Sequence, residues 1–353
     1  MSTPDPAYRR PIDLKHGRVD LAFGAGGQAM AQLIAELFAR AFANDYLARG
    51  DDAAVLPALT AGERLVLATD AHVVSPLFFP GGDIGSLSVH GTINDLAVMG
   101  ARPLYLAASF ILEEGFALAE LARIVDSMAM AARAAGVAVV TGDTKVVERG
   151  KGDGIFITTT GVGALPAGRD PGGARAQPGD AILVSGTLGD HGMAIMAQRE
   201  ALAFESEIRS DSAALHDLVE TLYAATDASA IHVLRDPTRG GLASTLNEIA
   251  AQSGVGMLVD EASIPVSSAV QSACELLGLD PLNLANEGKL VLICAPHATA
   301  SLLAAMRAHP LGGEAACIGE VCIDPQGFVQ LRTCLGGRRM LDWLAGEPLP
   351  RIC

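Results

Sequence analysis

Paired cysteines are missing from this chain. Its six cysteines stand at 274, 294, 317, 322, 334 and 353, form no C-x-x-C, and have no histidines at zinc-type spacing beside them. That argues against a zinc site and a disulfide framework. The first five are expected to be buried free thiols. Cys353 stands apart, because a terminal residue is usually exposed.

Long apolar runs are missing too. No stretch approaches ~20 consecutive apolar residues, so no membrane span is expected. MSTPDPAYRRPIDLKHGR at the start has no apolar signal region, which reads as a cytoplasmic protein. Basic clusters are absent: 25 Lys and Arg face 40 Asp and Glu, for a net charge of -15. Such a chain repels nucleic acid and anionic membranes, and its acidity suits Mg²⁺. The familiar nucleotide signatures are lacking as well. There is no G-x-x-x-x-G-K-[ST] loop, no protein-kinase set and no G-x-S-x-G elbow. A nucleotide here would have its phosphates held another way.

What is present is enough for two domains: 353 residues, half of them hydrophobic. Apolar steps of three and four predict a helix over 28–48, and GGDIGSLSVHGTINDLAVMG (81–100) reads as another, closed by Gly100. GDDAAVLP, 64–74, 102–113, 137–147 and 154–165 read as strands, with an amphipathic helix ending at Gly136. The Gly- and Pro-rich PAGRDPGGARAQPGD (166–180) marks a boundary. Beyond it, strands are expected at 179–186, in GMLVDEASIPV, KLVLICAP, ACIGEVCID and GFVQLRTC, with helices near 190–200, 212–225, 240–254, 267–278 and 297–308. Strands and helices do not alternate strictly. The fold class is therefore α/β of the α+β kind, with mixed or antiparallel sheets. The predicted division is an N-terminal segment with glycine loop and helix (1–48), an N-terminal α/β domain (49–168), a C-terminal α/β domain (169–340) and a tail carrying Cys353 (341–353).

Acidic residues gather at element ends. Asp51 and Asp52 open a strand, Asp70 closes one, Asp83 starts a helix, Asn94 and Asp95 lie further along it, Asp143 ends a strand, and Asp236 sits in RDPTRGG. Mg²⁺ takes oxygen ligands, usually a few carboxylates plus substrate phosphates. Each aspartate also has a plain reading, since Gly-Asp is a turn signal and Asp83 fits an N-cap. Asp83, Leu87, His90 and Asn94 recur at four, three and four, and so share one helix face. Thr144 and Lys145 follow Asp143, an oxygen and a compact charge suited to a phosphate. Glu287 in NEGKL is a candidate base or a turn residue. FGAGG (23–27) offers backbone N–H groups to an anion through Gly24, Gly26 and Gly27.

Several of these stretches occur together in one family. SPLFFPGGDIG, GTINDLAVMGARPLYL, FILEEGF, VTGDTKVVERGKGDG, VSGTLGDHG, LRDPTRGGL, GLDPLNLANEGKLV and the final LPRIC resemble the hydrogenase maturation carbamoyl dehydratases, the HypE family. These are relatives of aminoimidazole ribonucleotide synthetase and selenophosphate synthetase. The resemblance runs from about residue 18 to the end. It implies a two-domain synthetase-like fold whose N-terminal domains pair in a homodimer as a β-barrel, with ATP near that interface. It implies that a HypF-like carbamoyltransferase loads a carbamoyl group onto Cys353, and that ATP drives its dehydration to a thiocyanate. Cyanide then passes to iron on a HypC–HypD-like scaffold complex, for [NiFe]-hydrogenase.

Carried over by residue, the resemblance makes Cys353, Lys145 and Glu287 catalytic. Gly24, Gly26, Gly27, Asp83, Asn94, Asp143, Thr144 and Lys145 would bind the nucleotide. Asp51, Asp52, Asp70, Asp95 and Asp236 would bind Mg²⁺. The chain departs from the family at Phe23, where histidine is usual, and at His90 and Ser212, where cysteine is common. Two other readings remain open: a cysteine-tail carrier without dehydratase chemistry, and an ATP-dependent synthetase acting on a free small molecule.

Overall fold

Arg64–His72 (β1) alternates exposed and shielded side chains along its length, as a strand with one covered face must. A computed structural model describes residues 11–24, 28–49, 53–200, 208–342 and 351–352. α1 (Gln28–Leu33) runs through a π-helical turn at Ile34–Phe38 into α2 (Ala39–Ala41). After β1, a hairpin of β2 (Phe78–Phe79) and β3 (Gly82–Asp83) leads into α3 (Ile84–Val98). Next come β4 (Arg102–Glu113), α4 (Leu118–Ala134), β5 (Ala138–Val147) and β6 (Ile155–Leu165). The sheet order is β1-β6-β4-β5. β4 and β5 are parallel and the other two pairs antiparallel.

Residues 166–180 lead to the second half. Arg169 ties this stretch down, clasping the Glu220 carboxylate through both terminal nitrogens at 2.5 and 2.7 Å. Then follow β7 (Ala181–Val184), α5 (Asp190–Arg199), α6 (His216–Ala225), β8 (Ile231–Arg235), α7 (Gly241–Ser253), β9 (Gly256–Asp260), α8 (Ser268–Leu277), β10 (Val291–Cys294), α9 (Thr299–Ala308), β11 (Ala316–Cys322), β12 (Val329–Arg332) and β13 (Arg338–Met340). They form a seven-stranded sheet, β13-β12-β9-β11-β7-β10-β8. Only β12 and β9 run parallel. Alternate residues feed two cores. Ile182, Val184, Val291 and Ile293 pack with α7, while Leu183, Leu292 and Cys294 pack with α6 and α9. Burial on both faces is why these strands read as continuous apolar runs.

α3 is buried almost all round, by the first sheet, by α4, and by α6 and β8 of the second half. It is the joint of the molecule. Residues 53–57 of the expected strand GDDAAVLP carry no strand, and the strands at Phe78–Phe79, Gly82–Asp83, Ile231–Arg235 and Arg338–Met340 were not anticipated. Cysteine burial holds for Cys274 and Cys294 only. Cys317 and Cys334 are exposed and Cys322 lies between, because they sit on outward strand positions and in a turn. Among the described residues no helix is long and apolar enough to cross a membrane.

Candidate active site

The inward row of β1 ends in Asp70 and His72. α3 approaches them at Gly91, where a Cβ would lie 3.0 Å from Asp70 Oδ2 and 3.0 Å from His72 Cε1. One helical turn later comes Asp95. Across a cavity of about 460 Å³ stand Arg235, Asp236, Arg239 and Glu248 of the second half. Burial pushes the Asp95 carboxyl up to about 7, and Asp236 and Asp70 push the same way. Burial also raises Asp236, with Asp70 and Glu248 adding to it. His72 is held below the usual histidine range by burial, against the pull of Asp70 and helped by Arg239.

So Asp70, Asp95 and Asp236 do converge in charge. They do not form a cage, since among the described residues no three acid, His or Cys groups stand close enough to hold a metal ion. Asp51 and Asp52, the other two members of the expected five-carboxylate set, lie outside the described residues. The three carboxylates still fit a cation chemically. A divalent ion bound partly through phosphate oxygens would relieve their repulsion.

The Asp143 set lies elsewhere. Asp70 pairs with Thr159, Thr159 with Ala108, and Ala108 with Gly142, so Gly142 is three strands away, ~14 Å, on the same lateral row. Asp143, one residue on, turns to the opposite, uncovered face. Its carboxylate accepts from Thr144 N at 2.8 Å and pairs with Lys145 Nζ at 2.8 Å. The Lys145 hydrogen bond holds Asp143 below the usual carboxylate range. Beside it a cavity of about 500 Å³ has walls of Met30, Ile34, Phe38 and Tyr46 and a rim of Gly142, Asp143 and Thr144. Gly24 lies against this edge, where a Cβ would sit 2.6 Å from Val146 N. Gly26 and Gly27 lie outside the described residues.

Two expected nucleotide residues have other tasks. Asp83 caps α3, its Oδ1 accepting from Gly85 N at 2.7 Å and Ser86 N at 3.0 Å. Asn94 ties the halves together. Both amide protons are spent, on Ala213 O at 3.0 Å and Glu287 O at 3.1 Å, and Oδ1 accepts from Leu215 N at 2.8 Å. Its helix face was read correctly, but that face meets the second half. His90 Nδ1 lies 2.9 Å from Ser212 Oγ, so the two positions where cysteine is common in the family meet in one hydrogen bond.

Glu287 is buried, and its Oε1 has no hydrogen-bond partner among the described residues. Burial, then Asp211, Asp236 and Asp70, hold its carboxyl well above the ordinary range, opposed by Arg239. That environment favours the neutral acid, and a cation beside it favours the carboxylate, the form that acts as a base. Asp211 braces this segment, accepting from Glu287 N at 3.0 Å and from Lys289 Nζ at 3.0 Å.

Cys353 lies outside the described residues, but Arg351 and Ile352 are docked. Ile352 is only 3% exposed and joins the hydrophobic core that runs from the first sheet into α5 and α8 of the second half, which stabilises the seat by about 1.5–3 kcal/mol. Ser75 N donates to Arg351 O at 3.1 Å, Arg199 Nη2 donates to the same oxygen at 2.9 Å, and His191 Nε2 lies 2.8 Å from Ile352 O. The Arg351 guanidinium pairs with Asp153. Asp211, Arg239, Arg199 and His191 were not anticipated. Arg239 and His191 lie in quoted motifs, yet only a folded chain reveals what they face.

Residues 50–165 match the AIR synthase related protein N-terminal domain, and 177–332 match the AIR synthase related protein C-terminal domain. The fold and these matches define a two-domain AIR synthase-related protein. The chain is 68% identical to carbamoyl dehydratase HypE of Cupriavidus necator, over 98% of both chains. It is 51% identical to that of Escherichia coli, over 95% of this chain and 99% of that one. A crystal structure of hydrogenase maturation protein HypE in complex with ATP superposes with a TM-score of 0.90 at 51% identity, covering 94% of this chain and 99% of that one. A HypE–HypF complex structure superposes at 0.78, with 49% identity over 88% and 99%. The chain belongs to the carbamoyl dehydratase HypE family.

Proposed function

We propose that this chain uses ATP to dehydrate a carbamoyl group carried on the Cys353 sulfur to a thiocyanate, providing cyanide for the iron of [NiFe]-hydrogenase. The observation that carries the reading is the docked Arg351–Ile352 segment. It brings the chain leading to Cys353 into the body of a protein whose family is defined by that chemistry.

Converting –S–C(=O)–NH₂ to –S–C≡N removes the carbonyl oxygen and both nitrogen protons. Transfer of the ATP γ-phosphoryl group to that oxygen breaks the terminal P–O bond and releases ADP. The C–O bond then breaks and the oxygen leaves as inorganic phosphate. Such transfer depends on positioning and charge neutralisation. Lys145 supplies a mobile positive charge, with Asp143 and Thr144 at the phosphate edge. Glu287, as the carboxylate that a neighbouring cation favours, takes one proton from nitrogen, and the departing phosphate carries the other. Mg²⁺ held by Asp70, Asp95 and Asp236, with Asp51 and Asp52, would neutralise phosphate charge.

Lys145 and Asp143 point away from Asp70 and Asp95, toward the uncovered sheet face where Leu65 and Leu67 are 64% and 67% exposed. A second copy covering this face would bury those leucines and bring its own phosphate edge to the site. The working form is therefore a homodimer. Its partners are a HypF-like carbamoyltransferase and a HypC–HypD-like iron scaffold, in the cytoplasm.

The test uses carbamoyl phosphate and the carbamoyltransferase, with and without Mg-ATP, followed by mass measurement of the Cys353 peptide. A carbamoyl adduct that loses one water only with ATP is the expected result. An adduct unchanged by ATP would leave a carrier, and no adduct would return the small-molecule synthetase reading.

A further inference from the structure

His191 takes no part in the chemistry above, yet it is wholly buried and touches the tail. It sits in the first turn of α5, with its ring edge-on to Phe79 at 5.5 Å. Nε2 lies 2.8 Å from the Ile352 carbonyl oxygen, and Nδ1 lies 2.8 Å from Ser210 Oγ. A carbonyl oxygen only accepts. Nε2 must therefore carry the proton, and Nδ1 must be bare and accept from the Ser210 hydroxyl. Ser210 is itself held, its hydroxyl accepting from Ser212 N at 3.1 Å and its N–H donating to Pro80 O at 2.8 Å. One tautomer satisfies every group. Burial keeps the imidazole neutral, although the charge of Asp211 and the Ile352 hydrogen bond pull the other way.

We infer that His191, fixed as the Nε2-protonated tautomer by Ser210, is the positioning residue that seats the tail for reaction. The carbonyl it grips belongs to the peptide joining Ile352 to Cys353. Because a peptide is planar, holding that oxygen fixes the plane through which the chain continues. Ser75 and Arg199 hold the preceding carbonyl, so two consecutive peptides are clamped by both halves of the protein. Ile352 supplies affinity and His191 supplies register. The inference rests on the dehydratase reading for its consequence, though not for the seat itself.

The test compares the full chain with His191→Phe, His191→Gln and Ser210→Ala. Two rates are followed by mass of the Cys353 peptide: iodoacetamide alkylation of unloaded Cys353, and ATP-driven loss of water from the carbamoylated form. A lost hydrogen bond to a buried carbonyl shifts docking by about tenfold. His191→Phe should therefore be alkylated about tenfold faster and dehydrated about tenfold more slowly. Gln carries an N–H where Nε2 stood, so His191→Gln should stay within about threefold on both counts. Ser210→Ala, which removes a partner of His191 and no hydrogen bond to Arg351 or Ile352, should fall between.

A folded His191→Phe that matches wild type in both rates overturns the inference. If that variant does not fold, a Ser210→Ala indistinguishable from wild type together with an unrescued His191→Gln overturns it equally. If wild type alkylates as expected but never loses water with ATP, the dehydratase reading fails and the seat stands.

Discussion

Replacing Asn94 with alanine should damage the joint between the two halves and leave the nucleotide site alone. The side chain is 1% exposed and makes three hydrogen bonds, all to the second half. Alanine would strand Ala213 O, Glu287 O and Leu215 N. A buried backbone group without a partner costs about 1–3 kcal/mol. The sum is held below three full penalties, because Glu287 O keeps a longer bond from Ala213 N at 3.4 Å and neighbouring terms do not add fully. We expect a loss of about 3–5 kcal/mol. Urea unfolding followed by circular dichroism reads this, with an unchanged denaturant slope. ATP affinity of the folded variant, measured by calorimetry, should stay within about threefold of wild type (~0.7 kcal/mol). Asn94→Asp should be no better, since its second oxygen would face two carbonyls. A stability loss below ~1 kcal/mol with a tenfold drop in ATP affinity would refute the argument and return Asn94 to the nucleotide.

Three further outcomes follow from the geometry. Glu287→Gln should abolish thiocyanate formation. Because the native carboxyl titrates well above 4.5, wild-type stability falls as pH rises through that range, and the advantage of the Gln variant in thermal unfolding should widen from pH 5 to pH 8. Lys145→Ala should leave stability within ~0.5 kcal/mol, since its pair with Asp143 is exposed, yet slow the ATP-dependent step at least tenfold in single-turnover mass measurements. His90 is held down to about 4 by burial and by His216, so the unfolded chain takes up a proton below about pH 6.5 before the folded one does. Stability contributed by neutral His90 is therefore lost as pH falls from 6.5 toward 4. His90→Asn, which keeps a partner for Ser212, should remove about 2–3 kcal/mol of that acid loss between pH 7 and 4.5 in paired urea titrations.

The sequence carried the local signals well. Asp83 reads as a cap and Gly100 as a stop, and α3 lies between them. β4 was legible to the residue, because its apolar run is bounded by Gly100 and the turn at Gly115. Position within a sheet was not legible. Whether Asp70 and Asp143 point the same way depends on counting residues through the pairings Asp70–Thr159–Ala108–Gly142, and no local pattern sets that register. Asn94 shows the same limit on a helix. Spacing gives the face, but what covers a face is decided by residues more than a hundred positions away. Ile231–Arg235 escaped notice because so short a segment, with three apolar residues among five, fits a helix or a strand equally well. Arg338–Met340 escaped because an exposed edge strand has no buried face to produce a pattern.

One short segment links the parts that chemistry would have to coordinate. Ser210 orients His191 at the tail, Asp211 accepts from Glu287 N and Lys289 Nζ, and Ser212 meets His90 on α3. Asp95 lies five residues further along that helix. Fold stability alone gives no reason for this arrangement. A buried Glu287 with an unpartnered oxygen, beside carboxylates that raise one another, is costlier than an apolar residue of the same volume. Sites that break local rules in this way are the expected places for function. A tail entering its seat acts on Ser210 through His191, and Asp211 is the next residue. Tail docking and the ionisation of Glu287 are therefore joined by two successive residues, and a reaction requiring both has a physical path for their coupling.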